Sequence, residues 1–200
     1  MPARHHSVDE HGRLTVVTAA PPDPADVITR LVARPIRAGD VRADAPATAG
    51  LYAWWAPPTV LPALAGPPHP EVADLRLLYV GIATRLRSRL ASNHLRRSGS
   101  STLRRTLAGL LLDEHRFRTR WTDRVVLVDD DEARLTDWMS TNLRVSWCEH
   151  PTPRDVEGEI IRTLRPPLNV DHATGPMVEV IKAARRAYYA SAGARPDQRG

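Results

Sequence analysis

Gly50-Leu51-Tyr52-Ala53-Trp54-Trp55 and Leu77-Leu78-Tyr79-Val80-Gly81-Ile82 decide how this chain is read. Each is a short aromatic and aliphatic run holding one glycine and one tyrosine, and each reads as a buried strand. Between them, residues 57–70 hold prolines at 57, 58, 62, 67, 68 and 70 and make an irregular excursion. Doubling a loop costs only about 0.6 kcal/mol of closure entropy, so the 21 intervening residues do not prevent the two strands from pairing as antiparallel neighbours. The excursion is then expected at the sheet's edge and dispensable for folding.

Outward from these strands the pattern turns helical. Residues 84–95 and 101–113 have amphipathic periodicity; Ser100 or Ser101 caps the second stretch, with Leu103, Leu107, Leu110 and Leu111 on one face and Arg104 and Arg105 on another. Val125–Val128 is a short strand or a buried linker. Asp131 to Leu143 reads as a helix, and Val145-Ser146-Trp147-Cys148 alternates like a strand. Thr152-Pro153-Arg154-Asp155 supplies a cap, an N1 proline and an acid, opening a helix that Pro166-Pro167 stops. On that helix Ile160, Ile161 and Leu164 fall at +3, +4 and +7 from Glu157, which therefore shares their apolar face. Glu159 lies with Arg162 and Thr163 on the solvated one. A carboxylate at the edge of a buried stripe needs a partner, so Glu157 is either half of an ion pair or a metal ligand.

These elements predict an α+β fold with a small, mostly antiparallel central sheet of three strands flanked by helices. Residues 1–45 read as a Pro/Ala-rich leader with one short helix (Asp26 to Arg34), 46–172 as the folded domain, and 173–200 as a C-terminal helix with a disordered tail. No apolar run approaches the roughly 18 residues of a membrane span. The N-terminus lacks the organisation of a secretory signal, and the single cysteine, Cys148, forms no internal disulfide. A cytoplasmic protein without a membrane partner is expected.

The net charge of +5 is unevenly spread: eleven arginines and three acids between Arg85 and Arg124 give that segment +8. A polyanion would be drawn to this one region. Arg85 and Arg89 stand one turn apart on one helix face; a solvated basic face is the alternative reading, and the one adopted for Arg87, Arg96 and Arg97 as far as chemistry goes. Trp147-Cys148-Glu149-His150 lacks partners for a zinc site. Asp129-Asp130-Asp131-Glu132 reads as a solvated helix start. Of Trp54 and Trp55, one must face the core.

Two tyrosine strands, an arginine helix and a late helix carrying Glu157 and ending Pro166-Pro167-Leu168-Asn169 together resemble the GIY-YIG nuclease superfamily, which includes repair, homing and restriction endonucleases. The likeness runs from Gly50 to Asn169. Gly50-Leu51-Tyr52 stands where the family has its GIY, and Tyr79-Val80-Gly81 where it has its YIG. Arg89 lies ten residues after Tyr79, and Glu157 twelve before Asn169, as the family's arginine, glutamate and asparagine do.

The resemblance implies metal-dependent hydrolysis of phosphodiester bonds, in DNA rather than RNA. Tyr52, Tyr79, Arg89 and Glu157 would be catalytic. Glu157 would hold Mg²⁺ (or Mn²⁺), Arg89 would neutralise charge on the phosphoryl oxygens, and either tyrosine would assist deprotonation of water. Gly50, Gly81 and Asn169 would be structural at the site. Arg85, Arg87, His94, Arg96, Arg97 and Arg104 would contact nucleic acid, with a proton-shuttle or structural role open for His94. A non-catalytic nucleic-acid-binding module on the same fold would need only the arginines; convergence of the two tyrosines, Arg89 and Glu157 on one cleft is what separates the readings.

Overall fold

The computed structural model describes residues 5–8, 14–17, 20–64, 66–170 and 176–196. A hairpin of β1 (His5–Val8) and β2 (Leu14–Val17) precedes α1 (Pro24–Leu31), the two-residue β3 (Ile36–Arg37) and the single-turn α2 (Val41–Asp44). Then come β4 (Gly50–Ala56), β5 (Arg76–Ala83) and a π-helix, Ser88–His94. α3 (Thr102–Leu110) and α4 (Leu112–His115) lead to a hairpin of β6 (Thr119–Trp121) and β7 (Val125–Leu127). α5 (Asp129–Asn142), β8 (Arg144–Glu149), α6 (Pro153–Leu164) and α7 (Pro176–Ala190) complete the chain. No described helix is long and apolar enough to cross a membrane.

The central sheet has four strands, not three, in the order β3-β8-β4-β5, every pair antiparallel. The extra strand comes from the stretch read as leader: Ile36 and Arg37 pair with Val145 and Arg144, a pairing too short to leave an alternation in the sequence. That stretch is also packed. α1, capped by the Asp23 carboxylate on the Asp26 N–H, buries Val27 and Leu31 one turn apart, and Ala38, Val41 and Ala45 are buried as well. Each fully buried Val or Leu contributes roughly 1.5–3 kcal/mol, enough to hold the segment against the sheet.

β4 is buried along its whole length because it has a strand on either side and packed layers on both faces. Alternate residues enter two separate cores, Tyr52, Trp54 and Ala56 in one, Leu51, Ala53 and Trp55 in the other. Both tryptophans are therefore interior. The first core takes Leu86, Leu90, Leu103 and Leu107 from the helices after β5, and the second takes Ile160 and Ile161 from α6.

β4 and β5 pair directly despite the proline-rich excursion. The excursion folds back on β5: Leu77 N–H donates to Pro67 O at 2.9 Å and His69 N–H to Leu75 O at 2.8 Å. It also sends Leu61 and Leu64 into the first core. Further along the same edge, Leu168 N–H donates to Leu78 O at 3.0 Å. The open edge of the sheet is thus covered, which guards it against pairing with another chain.

Candidate active site

The β4–β5 register sets Tyr52 opposite Gly81 and Trp54 opposite Tyr79. Tyr52 and Tyr79 are therefore diagonal neighbours on one face, with ring centroids 6.3 Å apart. Glycine at 81 is required by the tyrosine facing it, since a Cβ there would stand 2.5 Å from Tyr52 Oη. At Gly50 a Cβ would collide with the Cys148 carbonyl and stand 2.8 Å from Leu86 Cδ1, so glycine lets the following helix close on the strand.

That helix widens into a π-turn, which Leu95 N–H closes on Leu90 O, five residues back, at 3.2 Å. The wider turn advances the register by one residue: His94, five after Arg89, reaches the site in place of Asn93. His94 is fully buried, with Nε2 2.7 Å from Tyr52 Oη and Nδ1 2.7 Å from Ser101 Oγ. Ser101 Oγ already accepts the Arg104 N–H at 3.0 Å as the cap of α3. Ser101 Oγ keeps a second lone pair and its own proton, so either tautomer of the neutral His94 ring completes a hydrogen-bonded chain from Ser101 Oγ to Tyr52 Oη. Arg89, half-buried, donates from Nε to the same oxygen at 3.3 Å and from Nη1 to Ser100 O at 3.1 Å.

The electrostatics follow from burial. Tyr52 is held well above the ordinary tyrosine range by desolvation first, then by Tyr79; the Arg89 charge and hydrogen bond pull it down and the Glu157 carboxylate pushes it up. His94 is held well below the usual histidine value, again by desolvation first and then by the Arg89 and Arg104 charges. Glu157 sits half-buried on α6, the helix that feeds the second core, yet its charge is felt at Tyr52. Asn169 accepts the Val80 N–H at 2.9 Å and donates to Val80 O at 2.8 Å, bracing the segment after α6 against β5.

A family model, the GIY-YIG catalytic domain, matches residues 50–187. The chain belongs to the GIY-YIG family. No curated protein and no solved structure matches it. Membership supports a nuclease-type function and a nucleic-acid substrate, and nucleases of this family generally use divalent metal ions. The donor set of this GIY-YIG site suits such an ion if it is hard and keeps its waters. Among the described residues no three His, Cys, Asp or Glu side chains gather into a metal cage, whereas Mg²⁺ is commonly held by one or two carboxylates, with water and substrate phosphate. Glu157 is the carboxylate in place.

Two residues expected to contact nucleic acid do not face it. Arg104 is fully buried: Nε donates to Glu132 Oε2 at 2.7 Å, Nη1 to His94 O at 3.3 Å, and Nη2 to Thr136 Oγ1 at 3.0 Å and to Glu132 O. Its donors hold the site's frame and none is left for a phosphate. His94 is interior for the reasons given above. Arg85, Arg87, Arg96 and Arg97 are exposed as expected, although Arg87 anchors Nε to Ala45 O at 2.7 Å.

The acidic run is not all solvated either. Asp131 is buried and accepts the Arg118 N–H at 2.8 Å and an Arg134 N–H at 2.7 Å. Glu132 Oε1 accepts Ser98 N–H at 2.8 Å and Ser98 O–H at 2.5 Å, fixing the turn whose Ser100 carbonyl holds Arg89. Sequence reading missed Ser98 and Glu132; their only signal was a serine beside a glycine and an acid at a helix start. Thr152 stands at the start of α6 without a side-chain cap bond.

Proposed function

We propose that this chain is a metal-dependent endonuclease hydrolysing phosphodiester bonds in DNA, with RNA the less favoured substrate by analogy with the superfamily's repair, homing and restriction members. The observation carrying this reading is that the Tyr52 oxygen accepts Arg89 Nε–H at 3.3 Å and is hydrogen-bonded to His94 Nε2 at 2.7 Å, within the electrostatic reach of Glu157. A site for binding alone would not need an arginine and a buried histidine on one buried phenol.

The Arg89 charge and hydrogen bond favour the anionic form of Tyr52, and burial, Tyr79 and Glu157 oppose it. A divalent cation on Glu157, Mg²⁺ or Mn²⁺, would supply Lewis-acid polarisation of a phosphoryl oxygen and cancel the carboxylate's push on the phenol. Tyr52 would take the proton of the attacking water while passing its own to His94 Nε2, 2.7 Å away, as the water oxygen bonds to phosphorus and the ester P–O bond breaks, the leaving oxygen drawing a proton from solvent. Arg89, whose Nη2 has no hydrogen-bond partner among the described residues, offers its charge to the phosphoryl oxygens as negative charge develops there. The hydrogen bond from His94 Nε2 holds the phenol in place.

Incubating the purified chain with supercoiled plasmid and with single-stranded DNA and RNA, in Mg²⁺, Mn²⁺ or EDTA, tests the reading. Nicked or linear products with either ion and none in EDTA are expected. Tight binding without cleavage under every condition would instead make this a binding module on a nuclease fold.

A further inference from the structure

At the far end of α6 from its N-terminus, Gly66 and Pro67 of the excursion face Arg162, Thr163, Leu164 and Arg165 across an open groove of about 510 Å³. One wall is fixed. A Cβ at Gly66 would collide with Leu77 O, Arg76 Nη1 donates to Gly66 O at 3.1 Å, and Pro67 O accepts the Leu77 N–H at 2.9 Å. Those wall carbonyls are therefore filled. On the other wall Arg162, Thr163 and Arg165 are exposed, and the side chains of all three lack an ion pair or hydrogen bond among the described residues. Among the described residues no carboxylate lines the groove, and Glu159, one turn back, is exposed. The end of a helix carries about half a negative charge, which two guanidiniums outweigh.

Arg165 adds a second sign. It ends α6 in the left-handed region, at φ 48° and ψ 52°, where glycine is favoured and a side chain adds strain. Arg162 lies back along the helix, with Nη1 3.4 Å from where a Cβ on Gly158 would be, next to Glu157. The basic groups thus run from the candidate site to the groove, and eight residues of helix span about 12 Å.

We propose that this groove is a second anion site, holding the phosphodiester backbone of the substrate strand about three to four nucleotides (~3.4 Å of rise each) from the bond addressed by Tyr52, Arg89 and Glu157. The excursion is its wall. The proposal rests on the nuclease reading of that site, and its test uses binding so that the two can fail separately.

Fluorescence anisotropy of the full chain carrying Glu157→Gln, with labelled duplexes of two lengths at several salt concentrations, is the measurement. Adding Arg162→Ala and Arg165→Gly together should weaken binding of the long duplex about tenfold or more near 0.1 M salt and lower the log–log salt slope by roughly 2. A duplex too short to span from site to groove should bind both forms alike. Arg165→Gly alone should raise the melting temperature while weakening binding, opposite signs that a structural role does not give. With Glu157 intact, the double variant should raise KM and leave kcat unchanged.

Equal affinity and slope for parent and double variant would overturn the proposal. So would a variant that loses protection by inorganic phosphate against thermal unfolding while its affinity for DNA stays the same, since the groove would then take the free ion. Groove-dependent binding without cleavage in Mg²⁺ or Mn²⁺ would sink the nuclease reading and leave the groove; cleavage with an inert groove would do the reverse. A parent that binds no duplex would sink both.

Discussion

The Tyr52 ring lies over Gly81, so that a methyl group at 81 would stand 2.5 Å from its Oη, 2.7 Å from its Cζ and 2.9 Å from Tyr79 Cε1. The ring cannot yield freely, because Arg89 and His94 hold its oxygen. Gly81→Ala should therefore cut cleavage about a hundredfold, the scale of an ångström misplacement, and cost about 1–3 kcal/mol as overpacking. Gly39→Ala is the control, since its Cβ would meet nothing nearer than Ser140 Cβ at 3.5 Å. Plasmid nicking and urea unfolding of both variants decide; equal activity in the two would mean that the Tyr52 position does not matter.

Glu157→Gln should abolish metal-dependent cleavage and leave the fold intact, because it removes the one carboxylate proposed to hold the cation. Glu159→Gln, an exposed position on α6, should cleave like the parent. Matching rates in the two variants would show that the helix faces were assigned wrongly.

Much of this arrangement was legible because it rests on local pattern. The strands at Tyr52 and Tyr79, the apolar stripe placing Glu157, and the capping serine of α3 each follow from residues within a turn or two of one another. What was not legible depends on partners distant in sequence or on departures from the ordinary helix. Arg104 looked like a surface arginine because Glu132, which pairs with it at 2.7 Å, lies 28 residues on. His94 was brought onto Tyr52, away from nucleic-acid contact, by a π-turn that no periodicity announces. Strand β3 has two residues, and two residues have no alternation to read.

Burying His94 as a neutral ring has a consequence for stability. Its folded pKa lies well below the unfolded value of about 6.5. As pH falls below about 6.5 the unfolded chain takes up a proton that the folded chain refuses, so this contribution is whole above that pH and is lost progressively below it. The slope is at most about 1.4 kcal/mol per pH unit. His69, also lowered by burial, adds in the same direction. Denaturant unfolding between pH 7 and 5 should show falling stability in the parent, and a shallower fall in His94→Gln. Parallel slopes would mean that His94 is protonated in the folded protein.

Arginines that look alike in sequence should separate cleanly. Arg104→Met strands Glu132 and should cost about 3–5 kcal/mol, and binding of nucleic acid should suffer only as far as the fold does. Arg96→Ala with Arg97→Ala, both exposed, should leave stability unchanged, weaken binding and lower the salt slope by roughly 2 for duplex DNA. Salt titrations of binding beside thermal melts test both; an unchanged slope in the double variant would place the nucleic acid elsewhere.

The proline-rich excursion was expected to be dispensable, and its packing argues the opposite. Leu61 and Leu64 are buried in the core that holds Tyr52 and Trp54, and the His69 ring packs edge-on to Trp55 with centroids 4.7 Å apart. Removing a buried leucine side chain costs about 2–5 kcal/mol, and deleting residues 59–69 removes two of them together with the bonds that cover the start of β5. The sum approaches the roughly 5–15 kcal/mol that holds a typical domain folded. The deletion should therefore unfold the chain or lower its urea midpoint severely, whereas Pro62→Ser, at an exposed position of the same loop, should leave the midpoint within error. Closure entropy, which made the loop look free to vary, is the smaller effect: about 0.6 kcal/mol per doubling of length is outweighed by either leucine. A deletion variant that kept the parent midpoint would mean that these leucines and the backbone pairing along β5 contribute little, and the excursion would again be an optional ornament of the sheet edge.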